Sequence, residues 1–141
     1  MLLLDTNVIS ELRKVRRRET DRTFVAWAET LNWSNLYLSA ISIGELEQGI
    51  LRLEQYDSVQ ASVLRHWLTG QVLREFSSRI LPVDEFVAQR SAYLQVKRKR
   101  DLEDTLISAT AYTHGFMVVT RNTADFEDAG VRVINPWTTT V

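Results

Sequence analysis

The chain has no cysteine, two prolines and five glycines among its 141 residues. Without cysteine there is no disulfide, no thiolate metal site and no thiol nucleophile. The absence also fits a reducing cytoplasm. So few helix and strand breakers imply short connections and no interdomain linker, and no repeat or low-complexity tract is present. No apolar run approaches the ~20 residues that cross a bilayer. Asp5 interrupts the basic-then-apolar order of a signal peptide. Histidine is nearly absent too. His66 lies in a segment of mixed polarity and His114 precedes Gly115, so both read as structural or surface residues. An apolar share of 45% supports one packed domain over residues 1–141.

The net charge of −1 conceals local imbalance. Ten of the seventeen basic residues fall in two short segments. One holds Arg13, Lys14, Arg16, Arg17, Arg18 and Arg22; the other is Lys97-Arg98-Lys99-Arg100. Such clusters can follow a phosphate backbone. They also fall where helices should end, and there cations simply favour the helix dipole.

Short apolar runs alternate with helical patterns. Leu2 to Asp5, Leu36 to Ser39, Phe116 to Thr120 and Val131 to Ile134 read as strands. Helices are predicted from Thr6 to about Lys14, Thr20 to Leu31, Ser42 to Leu53, Val59 to Phe76, Val83 to Lys99 and Glu103 to His114, the last stopped by Gly115. The alternation indicates an α/β fold with a mainly parallel sheet. The stretch from Thr105 carries almost no charge and is expected to be a buried helix.

Four acids stand where a strand gives way to a helix or turn: Asp5, Glu45, Asp104 and Asp125. Each has a plain structural explanation. Asp5 can cap the helix after it. Ser42-Ile43-Gly44-Glu45 matches a capping box. Asp101 can cap the buried helix, and Asn122 to Asp125 can form an Asx-type turn. Together they suggest more, because the carboxyl ends of parallel strands share one edge, where ligands bind. Carboxylates at roughly 5 Å, in an effective dielectric near 20, repel by about 3 kcal/mol per pair. Protons or divalent cations must offset that. An all-oxygen pocket suits Mg²⁺ or Mn²⁺, and such a pocket suits phosphodiester hydrolysis.

The opening Leu3-Leu4-Asp5-Thr6-Asn7-Val8-Ile9-Ser10-Glu11-Leu12 resembles the start of a PIN-domain ribonuclease, most closely the VapC/FitB toxins of bacterial toxin–antitoxin pairs. Ser42-Ile43-Gly44-Glu45-Leu46 with Gly49 is similar to the second acidic motif of that family, and Asp104-Thr105-Leu106-Ile107-Ser108-Ala109-Thr110-Ala111 to its third. Val118 to Phe126 and Val133-Ile134-Asn135-Pro136-Trp137 resemble its C-terminal end. The resemblance covers essentially the whole chain. It implies a three-layer α/β/α fold around a sheet of about five strands. It also implies an endoribonuclease using one or two Mg²⁺ or Mn²⁺ ions, a homodimer and a neutralising antitoxin, with larger toxin–antitoxin assemblies possible. Carried over by position, Asp5, Glu45, Asp104 and Asp125 are the metal-binding acids, supported by Asn7, Thr120 and Asn122. Asp101 and Glu103 crowd Asp104 more than in many relatives. Arg16, Arg17, Arg18, Lys97, Arg98, Lys99 and Arg100 would guide RNA.

Two rival readings differ in kind. Asp5 could be the nucleophile of a haloacid-dehalogenase-type phosphatase, but that chemistry wants an acid two positions later and the residue is Asn7. A metal-free PIN-like scaffold acting only by binding would leave the four acids without a task.

Overall fold

The computed structural model describes residues 1–17 and 19–138; Arg18, expected to guide RNA, lies outside the described residues. Five parallel strands form one sheet in the order β3-β2-β1-β4-β5. They are β1 (Leu2–Leu4), β2 (Leu36–Ser39), β3 (Ile80–Leu81), β4 (Met117–Val119) and β5 (Val133–Ile134). The chain starts at the centre with β1, steps outward through β2 and β3, then returns to the other side of β1 for β4 and β5. The order therefore reverses between β1 and β4. In open α/β sheets that switch point is where the crevice opens.

Alternating side chains sort the strands between two apolar layers. Leu4, Leu36, Leu38 and Val119 join Val8, Ile9, Phe24, Leu46, Ile50 and Phe76 in one buried cluster. Leu3 and Val118 face the other way and meet Ile107, Ala111 and Phe126. The first layer holds α1 (Thr6–Leu12), α2 (Arg22–Glu29), α3 (Ala40–Glu54), and α4 (Ser58–Trp67) continued through the π-turn Leu68–Val72 into α5 (Leu73–Glu75). The second holds α6 (Glu85–Lys97) and α7 (Leu102–His114). This is the three-layer α/β/α arrangement that the resemblance implied. Among the described residues, no helix is long and apolar enough to cross a membrane.

Local signals explain most boundaries. Asp21 caps α2 by accepting from Thr23 N at 2.8 Å, and Asp84 caps α6 by accepting from Val87 N at 2.9 Å. Gly115 ends α7 in the left-handed conformation, φ 70°, which costs glycine little. As expected, α7 is buried, from Thr105 through Ala111 apart from Leu106. Two expectations need correction. The helix around Glu45 starts at Ala40, not Ser42, because the hydroxyl of Ser39 accepts from Ile41 N at 3.0 Å. Ser42 and Glu45 therefore form no capping box. Strand β3 carried no usable sequence signal: two residues are too short for periodicity, and only pairing with β2 through Leu38 and Ser39 defines it.

Candidate active site

Asp5 stands at the carboxyl end of the central strand, and its amide still donates to Val119 O at 2.8 Å. Its side chain is 4% exposed. Three donors hold it. Thr6 N reaches Oδ1 at 2.8 Å, so the capping reading holds for this oxygen. The hydroxyl of Thr120, the residue after β4, donates to Oδ2 at 2.7 Å across the switch point. The amide of Asn7 reaches Oδ2 at 3.3 Å. Asn7 thus serves as a donor to Asp5, while its Oδ1 accepts from Arg121 N at 3.4 Å. This places no acid beside Asp5 at the position a dehalogenase-type phosphatase requires.

Glu45 arrives from the second turn of α3, half-buried. The hydroxyl of Thr6 lies 2.7 Å from its Oε1 and 2.9 Å from the Oγ of the fully buried Ser42. A threonine hydroxyl has one proton. If it goes to the carboxylate, Ser42 must donate to Thr6, which fixes the chain's direction as Ser42 to Thr6 to Glu45. Sequence reasoning assigned no role to Thr6 and read Ser42 only as half of a capping box. The signal was available in their adjacency to Asp5 and Glu45, but a hydroxyl beside a motif acid is too common to stand out.

Asp104 sits in the first turn of α7. Asp101 caps that helix, accepting from Asp104 N at 3.2 Å, which separates the roles of two crowded acids. Among the described residues, no donor reaches the carboxyl of Asp104. Burial first, then the charges of Asp5, Asp101, Asp125 and Glu45, push its pKa up to about 7. Burial also raises Glu45, against the pull of Thr6, and Asp5, Glu103 and Asp101 add to the rise. Asp5 is raised by burial too, partly offset by Thr120 and Thr6, with Asp125 adding to the rise.

Asp125 is exposed within the 3₁₀ turn Thr123–Phe126, inside electrostatic reach of Asp5 and Asp104. The expected Asx-type turn does not form, because the Asn122 side chain caps nothing. Asn122 instead supports the site through its main chain, its amide donating to Thr120 Oγ1 at 3.0 Å. Thr120 is thereby satisfied as both acceptor and donor.

The structure therefore brings the four candidate acids, and the supporting Asn7 and Thr120, to one sheet edge. Among the described residues, no three acidic or histidine side chains are grouped closely enough to hold a metal ion. Glu45 leans on Thr6, and Asp5 is shared among its donors. The donor chemistry still fits a hard divalent cation: every group is an oxygen, and three carboxyls have raised pKa values that a cation would lower.

The basic residues divide. Arg16 and Arg17 stand exposed at the end of a 3₁₀ turn, and Lys99 is exposed beyond α6. Lys97, Arg98 and Arg100 donate instead to main-chain carbonyls between Ala124 and Asp128. Trp27, Trp67 and Trp137 pack against the core, while Trp33 is 41% exposed.

Comparison with known proteins agrees with this architecture. Residues 2–131 match the PIN domain family. A protein of Sinorhizobium fredii named VapC ribonuclease Y4jK is 40% identical over 142 residues, covering 97% of this chain and 98% of its own. Toxin FitB of Neisseria gonorrhoeae is 40% identical over 144 residues, covering 97% and 99%. The crystal structure of FitAcB from Neisseria gonorrhoeae superposes with a TM-score of 0.85 at 36% identity, covering 99% of this chain and 100% of that one. On matched sequence and shared architecture, the chain belongs to the PIN-domain family.

Proposed function

We propose that this chain is a cytoplasmic, metal-dependent endoribonuclease toxin that hydrolyses RNA phosphodiesters and is restrained by a cognate antitoxin. One observation supports the reading: Asp5, Glu45 and Asp125, up to 120 positions apart in sequence, all act electrostatically on Asp104 beside the switch point of the sheet, and no cationic side chain is among the causes of its shift. The names of the relatives, a VapC ribonuclease and toxin FitB, support the same activity.

Asp5, Glu45 and Asp104 would hold one or two Mg²⁺ or Mn²⁺ ions, with Asp125 completing the set. The bound metal supplies Lewis acidity, making water a nucleophile near neutral pH and offsetting charge on the phosphate. The protein's own contribution is positioning. Three donors fix Asp5 in a single orientation. Thr6 holds Glu45 on the Asp5 side of the cleft. Asp104 retains its proton to about pH 7 and releases it when positive charge enters. The exposed Arg16, Arg17 and Lys99 attract the RNA backbone toward the cleft. A homodimer belongs to the same reading, as does an antitoxin that places an arginine among the acids. Guanidinium pairs bidentately with carboxylate and would compete with the metal.

The test uses purified protein, a structured RNA and Mg²⁺ or Mn²⁺. Cleavage is expected, and Asp5→Asn should abolish it while circular dichroism stays unchanged. Cleavage persisting in Asp5→Asn and in excess chelator would overturn the reading.

A further inference from the structure

The turn that carries Asp125 is held from outside. Phe126 anchors it in the core below α7. Past Phe126 the backbone enters the left-handed region twice, at Asp128 (φ 59°) and Gly130 (φ 78°). For a non-glycine residue that conformation costs roughly 1–2 kcal/mol, so the turn gains from external ties.

Four cationic side chains supply them. Lys97 Nζ donates to Asp128 O at 3.3 Å. Arg98 donates to Ala124 O at 3.4 Å and to Glu127 O at 3.1 Å. Arg100 donates to the same Glu127 O at 3.1 Å, and Arg90 to Ala129 O at 3.0 Å. All these acceptors are main-chain carbonyls, whose positions follow the path of the turn. Arg90 is fixed in its turn by Tyr112 and Tyr93, whose rings lie 3.6 and 4.7 Å from its guanidinium carbon. It fills the space at Gly130, where a Cβ would come within 2.7 Å of its terminal nitrogen. Arg100 is half-buried, its Nε and Nη1 out of solvent and without a partner among the described residues. A track for phosphates needs its cations in solvent, and Arg100 is not placed that way.

Position in the chain adds a consequence. Arg98 and Arg100 lie in the connection between α6 and α7, just before Asp101 caps the helix that bears Asp104. One connection therefore both starts the Asp104 helix and grips the Asp125 turn.

We propose that Arg98 and Arg100, with Lys97, are positioning residues that clamp the Asp125 turn to the α6–α7 connection and so set the spacing between Asp125 and Asp104. The run is then part of the scaffold as well as of the surface: Lys97 and Arg98 are exposed yet tied to the turn, while Lys99 makes no side-chain hydrogen bond among the described residues. The kinetic half of the test rests on the acid pocket being catalytic; the structural half does not.

The experiment compares the full chain with the double variant Arg98→Lys/Arg100→Lys and with Lys99→Ala. The double variant keeps both charges and loses the forked donor geometry. Amide hydrogen exchange in residues 123–128 should accelerate by about tenfold or more in the double variant, with the rest of the chain unchanged. Its kcat on RNA should fall roughly tenfold with KM and salt dependence intact. Lys99→Ala, which removes an RNA-guiding charge but no contact to the turn, should leave exchange in residues 123–128 unchanged while raising KM. The single variant Arg98→Lys should give the same pattern at smaller amplitude if the double variant folds poorly. Unchanged exchange in the turn of the lysine variants overturns the clamp. So does an Arg98→Ala/Arg100→Ala variant that only raises KM and lowers the salt slope by about 0.7 per lost phosphate contact. If the chain cleaves no RNA at all, the exchange data still decide the clamp, because they do not depend on chemistry.

Discussion

Asp5 and Asp104 carry the same side chain into the same pocket under opposite conditions. Asp5 is nearly inaccessible, yet a backbone amide, a threonine hydroxyl and an asparagine amide converge on it. Asp104 is less buried, receives no donor among the described residues, and faces four other acids. Burial alone therefore does not separate them. Hydrogen bonds from Thr120 and Thr6 offset part of the burial that raises the Asp5 pKa, whereas no donor among the described residues opposes the burial and neighbouring charges that push Asp104 up to about 7. In the proposed site one acid is the anchor and the other is the group that would respond to cations.

The sharpest way to break the comparison is to neutralise the anchor. Asp5→Asn keeps the shape and should lower RNA cleavage by roughly a thousandfold or more, read as initial rates at saturating Mn²⁺. Removing one of its donors comes next. Thr120→Val leaves a buried carboxylate oxygen short of a hydrogen bond, with an expected loss of about 1–3 kcal/mol in urea unfolding. Thr120→Ser should restore most of it.

The responsive acid should show itself in pH dependence. The folded-state pKa of Asp104 is raised from 3.8 to about 7. Protonation thus favours the folded state: the contribution is fully present below the unfolded value and is lost as pH rises through about 7. Without divalent metal, the melting temperature should be a few degrees higher at pH 5 than at pH 8. Asp104→Asn should flatten that trend, and saturating Mn²⁺ should reverse it, because the ionised carboxyls then have a partner. A metal-free profile flat across this window would mean that the charges around Asp104 are screened. The smallest effect is expected at the hydroxyl chain. Thr6→Val should weaken Mn²⁺ binding severalfold in calorimetry and Thr6→Ser should not, since only the proton donated to Glu45 matters.

Much of this was legible in the residues. The Leu2-Leu3-Leu4 run ending in Asp5 and the uncharged stretch after Asp104 forecast a buried strand and a buried helix, and both formed. The four acids were nameable because each follows a change of periodicity. Other features were hidden for physical reasons. Ser42 fits a capping box equally well on paper, and only the Ser39 hydroxyl, accepting from Ile41 N, moved the helix start. Asn122 suggested a side-chain role, whereas the fold uses its amide. The Lys97–Arg100 run is exposed at three of its four residues, as its charge suggested, but sequence does not show which carbonyls lie across a gap of some thirty residues.

The sequence by itself determined the alternation of strand and helix, the parallel sheet, and the oxygen-only chemistry of the pocket, because hydrophobic period and residue type act locally. Tertiary structure alone decided that Thr120 reaches Asp5, that Thr6 stands between Ser42 and Glu45 in a chain of hydrogen bonds, and that the basic run contacts the Asp125 turn. Those relations depend on strand order and on distances between remote segments, which no local pattern encodes.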